Sequence, residues 1–264
     1  MRFFYSKVCK FLIPFVVILF SSLLSNGQIP LSFTGTPTVT GTAGTVGATY
    51  RYDNIGTTGP ITIRGDIQIL AISGTASLQN IDAGTGGSAN AWQPVINGTT
   101  TANGSCWSIE FRLSFFNAST GLPLTLSSFR ASGIDIDGDA STLREFNEFR
   151  APTNYTLENP TSLTLTKTGT AYSFASPQTQ YSGILLTQTN VAVTVLYDNR
   201  NSITLELGSC CAGGTCQATG TNRQYSINFF DAVSYASGMT ILPVNFIALS
   251  GQSVPGGNKI SWQV

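Results

Sequence analysis

Five carboxylates fall close together in one stretch of the chain. The segment from Phe129 to Phe149 reads FRASGIDIDGDASTLREFNEF, with Asp135, Asp137 and Asp139 at alternate positions and Glu145 and Glu148 soon after. Oxygen donors at such spacing suit a hard cation such as Ca2+, which takes about 6–8 oxygens. These five residues are therefore the candidate metal ligands, and Ca2+ the candidate structural cofactor. On a strand that carries Ile134 and Ile136, Asp135 and Asp137 would project opposite to the isoleucines, with Asp139 folding back through the turn. The run is not an EF-hand. Gly138 comes too early for that loop's glycine, and Phe146 stands where its bidentate Glu belongs. The competing reading is an exposed acidic turn whose carboxylates cap backbone N–H groups and keep an edge strand soluble. Paired carboxylates about 5–10 Å apart across a sugar cleft also hydrolyse glycosides. Nothing else in the sequence supports such a cleft, and the expectation is a protein without catalytic activity.

Much other chemistry is excluded. The 264 residues include no His, so Ser-His-Asp catalysis, His metal sites and an imidazole switch are absent. Lys and Arg total 13, Asp and Glu 13, and charged residues are 10% of the chain, against about 25% in an ordinary soluble domain. That is no footprint for nucleic acid. Trp92, Tyr50, Tyr52, Tyr155 and Tyr181 are candidates to stack on sugar rings, although most aromatics of a sandwich are core residues. Cys106, Cys210, Cys211 and Cys216 suggest two disulfides in an oxidising compartment. Adjacent cysteines rarely bond each other. One of Cys210 and Cys211 is expected to close the Gly-rich loop to Cys216, and the other to reach Cys106.

The elements that must position these residues read as strands. Alternation of period two runs through Ile61–Ala71, and through Trp107, Ile109, Phe111, Leu113 and Phe115 with Ser108, Glu110, Arg112 and Ser114 on the other face. Leu163 and Leu165 lead through Lys167-Thr168-Gly169-Thr170 to Tyr172 and Phe174, a predicted hairpin. Val191–Tyr197, Asp198–Asn201 and Ile203–Leu207 predict a second one. Tyr225, Ile227 and Phe229 make a late strand. Ser141–Phe149 is the one short candidate for a helix or an irregular segment. Residues 34–47 read as a loose lead-in and 83–104 as a long surface loop, the kind of place where binding surfaces sit. The fold class is all-β, an antiparallel β-sandwich of jelly-roll-like type.

The N-terminus carries Arg2, Lys7 and Lys10, an apolar run from Phe11 to Leu24, and Ser25-Asn26-Gly27. That is the pattern of a secretory signal cleaved before Gln28. The run is too short for a membrane span, which needs about 20 apolar residues, and no later stretch is long enough. Cleavage leaves 10 basic against 13 acidic residues. The division is 1–27 signal peptide, 28–240 sandwich, and 241–264 the first strands of a second, incomplete unit.

Two segments carry resemblances. LPVNFIALSGQSVPGGNKISWQV, from Leu242 to Val264, resembles the start of the immunoglobulin- or fibronectin-like module of exported Bacteroidetes-type proteins. The resemblance implies a strand at LPVNF, Trp262 as a core Trp on the next strand, and often a type IX secretion sorting domain beyond. Phe116-Asn117, Thr120-Gly121, Pro123, Leu126, Phe129 and Ile134-Asp135-Ile136-Asp137-Gly138 resemble a pattern of bacterial surface β-domains. That resemblance implies a surface module more than a mechanism. Together these readings predict a secreted or cell-surface module for adhesion or ligand binding, with a glycan or a surface protein as partner. The alternative is a carbohydrate-binding accessory domain of a larger secreted hydrolase.

Overall fold

The computed structural model describes residues 27–84, 86, 88–213, 216, 219–241, 248–254 and 257–263. The predicted signal peptide, apart from Gly27, and the strand expected at LPVNF lie outside the described residues. The strands are β1 (Thr38–Thr40), β2 (Thr49–Thr58), β3 (Ile61–Ser73), β4 (Ser77–Asn80), β5 (Val95–Gly98), β6 (Cys106–Asn117), β7 (Leu126–Ile134), β8 (Leu143–Arg150) and β9 (Asn154–Leu157). They continue with β10 (Thr164–Thr168), β11 (Ala171–Ala175), β12 (Val193–Arg200), β13 (Ser202–Cys211), β14 (Thr221–Gln224), β15 (Ser226–Asn228), β16 (Met239–Ile241), β17 (Ala248–Val254) and β18 (Gly257–Gln263).

Two antiparallel sheets make the sandwich. The larger runs β1-β2-β3-β6-β13-β8-β11-β10, and the smaller runs β15-β7-β12-β9-β16. A three-stranded sheet, β14-β5-β4, stands at one end, and β17 pairs with β18 in a sheet of their own. From β6 to β13 the chain passes repeatedly between layers, which is the jelly-roll-like feature. The alternation of β6 explains its place. Trp107, Ile109, Phe111, Leu113 and Phe115 are all buried, and their neighbours face away from the core. Rings from the two layers meet in the middle. Phe115 of β6 packs edge-on against Phe129 of β7 with centroids 5.0 Å apart, and Tyr155 of β9 against Phe174 of β11 at 5.5 Å. Each such pair adds about 0.5–1.5 kcal/mol beyond the area it buries.

Three local expectations are corrected. The segments around Asp198–Asn201 are strands but not a hairpin. β12 pairs with β7 and β9 in the small sheet, whereas β13 pairs with β6 and β8 in the large one. Alternation fixes which side chains face inward, and both strands obey it, yet it carries no information about which layer each joins. Ser141–Phe149 is not helical, since Leu143–Arg150 forms β8. Its inward positions are Leu143, Glu145, Asn147 and Phe149, and two polar residues among them hid the period. Residues 83–104 contain β5, and Trp92 is a core residue in edge-on contact with Phe111. Residues 34–47 contain the short exposed strand β1, paired with β2, and just before them Ile29, Leu31 and Phe33 alternate into the core. The hairpin β10–β11 forms as expected.

Cys106 bonds Cys210 and Cys211 bonds Cys216, the pattern expected with its open choice settled. Cys106 and Cys210 are direct neighbours across β6 and β13. After Ile241 the first described strand begins at Ala248, and Leu249 stands opposite Trp262 in the register of β17 and β18.

Candidate functional site

The five predicted ligands do not converge. β7 ends at Ile134, and Asp135 turns the chain with φ +58°, so Asp135 and Asp137 do not alternate with isoleucines on a strand. Ile136 and Asp137 are both buried. Asp139 serves its own turn, its Oδ1 accepting from the backbone N–H groups of Ser141, Thr142 and Leu143 at 2.7–2.9 Å. Glu148 projects from the opposite face of β8 to Glu145. Among the described residues no group of three or more His, Cys, Asp or Glu is arranged to hold a metal ion.

Asp137 and Glu145 instead share a partner that no motif in the chain singles out. Arg223, on β14, donates from Nη2 to Asp137 Oδ1 at 2.8 Å and from Nε to Glu145 Oε1 at 2.5 Å. The backbone N–H of Tyr181 donates to Asp137 Oδ2 at 2.6 Å. Ser176 Oγ donates to the Asp137 carbonyl at 2.8 Å. Burial pushes the Glu145 carboxyl up, against the pull of Arg223. Burial also works against the charge of Arg223, but Glu145 and Asp137 hold that guanidinium above its ordinary value. Asp135 borders the same polar hollow, and its Oδ1 is buried with no hydrogen-bond partner. Burial, with Asp137 alongside, pushes Asp135 up to about 7. This cluster pins β14 and the acidic turn together.

The other face of β8 is open to solvent and is the more accessible site. Register places Glu110, Glu206 and Glu148 side by side on β6, β13 and β8, and continues the row through Ser173 on β11 and Thr166 on β10. Like charges directly opposite destabilise a sheet. Arg150 offsets this, with Nη2 at 3.0 Å from Glu110 Oε1, 3.4 Å from Glu148 Oε1 and 3.8 Å from Glu206 Oε2. Ser108 Oγ donates to Glu206 Oε1 at 2.5 Å. Burial, with Glu206 opposite, raises the Glu148 carboxyl, while Arg150 lowers it. The three glutamate side chains remain 18–22% exposed, so their oxygens are within reach of a ligand.

Beside this row stands Phe146, half-buried on the solvent face of β8 opposite Gly208. A Cβ on Gly208 would come within 2.7 Å of the Phe146 ring tip and 2.4 Å of the Trp107 carbonyl. The glycine thus lets the ring lie across β13. Two shallow clefts of about 330 and 370 Å3 adjoin, sharing Phe146, Ala175 and the Cys106–Cys210 disulfide. The larger is bordered by Glu148, Glu206, Thr166, Thr168 and Ser173. Glu110 lies on this face as the alternation of β6 predicts. Phe146 carries no such signal, because a Phe at an outward position reads as a core residue. Four of the five aromatics proposed for stacking are core residues, and the fifth, Tyr181, is half-buried and tied through its hydroxyl. Trp92, Tyr50, Tyr52 and Tyr155 are buried, and the Tyr181 hydroxyl accepts from Asn190 Nδ2 at 2.9 Å.

No family model and no curated protein matches the sequence. Among solved structures, the N-terminal domain of the Streptococcus gordonii adhesin Sgo0707 is similar over 69% of this chain and 48% of its own, with 14% identity and a TM-score of 0.44. The glucan-binding protein C of Streptococcus mutans is similar over 69% and 58%, with 12% identity and a TM-score of 0.43. The chain thus spans about half the length of those structures.

Proposed function

We propose that the chain is a non-catalytic module of an exported, cell-surface or secreted protein and that it holds its ligand on the open face of the large sheet. The observation that carries this is the half-buried Phe146 lying across Gly208 between two adjoining clefts. Ligand sites combine an apolar floor with a few convergent polar groups, and this face supplies both. The predicted signal sequence, the two disulfides and the lack of His agree with an exported binding protein. The resemblance of residues 242–264 points to a Bacteroidetes-type origin and to the type IX route. The acidic turn has a structural part in this reading, with Arg223 supplying the positive charge that Ca2+ was expected to supply.

Microspheres coated with residues 28–264 test the reading on an array of extracellular glycans and matrix proteins. Retention on at least one arrayed ligand is expected, abolished by Ser173→Arg on the open face and kept by Thr57→Arg at a distant exposed position. Retention indifferent to Ser173→Arg, or chemical turnover of the retained ligand, defeats it.

A further inference from the structure

The face that binds also carries the chemistry that selects its ligand, and we infer that this ligand is a neutral glycan, lying along the Thr166–Ser173–Glu148–Glu206 row with one sugar ring against Phe146. The inference rests on the binding face proposed above and deepens it. Three features of that face converge.

The first is charge. The row presents Glu110, Glu206 and Glu148, while Arg144, Arg150 and Arg112 stand on the same side of β8 and β6. Three acidic and three basic side chains balance, so the face has no net pull on a basic peptide or on an anionic polymer. The second is the type of hydrogen-bonding group. Carboxylate oxygens accept from paired hydroxyls in strong charge-assisted bonds. The glutamates are held in place by Arg150 and Ser108, so less freedom is lost when a ligand takes their remaining lone pairs. Thr166, Thr168 and Ser173 add hydroxyls that both donate and accept. The third is apolar. Phe146, Ala175 and the Cys106–Cys210 disulfide form a flat floor where the two clefts meet. A sugar ring has an apolar C–H face and a hydroxylated rim, which this arrangement matches. The clefts are shallow and continuous, which suits a chain of sugars running across the strands.

Native affinity gels of residues 28–264 in a soluble β-glucan, an α-glucan, a xylan and a mannan test this, with poly-lysine as the charged alternative. At least one neutral polysaccharide is expected to retard the protein. Phe146→Ala and Glu206→Gln should each weaken that retardation about tenfold or more. Glu148→Gln, isosteric and on the solvent face, provides a second check should Phe146→Ala alter the melting temperature. Retardation by a polysaccharide that survives both Phe146→Ala and Glu148→Gln overturns the inference. So does the absence of retardation by all four. Retention on an arrayed protein or on poly-lysine, abolished by Ser173→Arg, overturns the glycan and leaves the binding face standing. Retention indifferent to Ser173→Arg removes both.

Discussion

Arg223 meets two buried carboxylates with one guanidinium, and removal of that side chain isolates charge where water cannot reach. Arg223→Met is expected to cost about 3–5 kcal/mol, as for other broken buried pairs, read by urea unfolding at neutral pH. Replacing Glu145 by Leu in the same variant should recover much of that loss, because an uncharged core of similar volume needs no partner. A further consequence concerns Asp135. Its carboxyl is raised to about 7 in the folded protein, whereas the unfolded chain titrates near 4, as an ordinary Asp does. Between these values the folded state keeps a proton that the unfolded state has released, so stability falls as pH rises through that window. Urea unfolding at about pH 5 and pH 8 should show the fall, to which the raised Glu145 and Glu148 also contribute, and Asp135→Asn should lessen it; an identical fall in the two proteins contradicts the assignment. Spacing grouped five carboxylates, of which Asp135, Asp137 and Glu145 border one hollow while Asp139 and Glu148 do not. Arg223 was not legible, because it stands 78 residues from Glu145 and lies in no recognisable pattern.

Among the elements, β13 carries the most consequence. It pairs with β6 on one side and β8 on the other, presents Glu206, leaves room at Gly208 and anchors both disulfides. The two cross-links differ in what they restrict. Cys106–Cys210 spans 104 residues and Cys211–Cys216 only 5. In the chain-entropy account the first is worth about 4–5 kcal/mol and the second about 2. Paired Cys→Ser variants, Cys106 with Cys210 and Cys211 with Cys216, should separate in thermal unfolding by that order, with the larger loss at the long link. The strands themselves were readable wherever every inward side chain is apolar, as in β6. β8 was not, since Glu145 and Asn147 point inward while Phe146 points outward. Both exceptions have local reasons: Glu145 is paired with Arg223, and Phe146 rests on a glycine.

For the molecule as a whole, alternation predicted two stacked layers but not the allotment of strands between them, as β12 and β13 show. The open face draws β10, β11, β8, β13 and β6 into one surface, although these strands are spread over residues 106–211. Each neighbour in that surface except β11 beside β10 comes from a distant part of the chain. Non-local pairings of this kind close long loops before any contact repays them, and all-β domains so built fold in milliseconds to seconds. Stopped-flow refolding with the disulfides intact should therefore be slow, and slower still in the Cys106→Ser, Cys210→Ser variant, where no link tethers β6 to β13 in advance. The carboxylate row needs β6, β13 and β8 side by side, since each strand supplies one of its glutamates. On the proposed reading, binding that depends on Glu206 and Glu148 together reports that β13 has docked against β8.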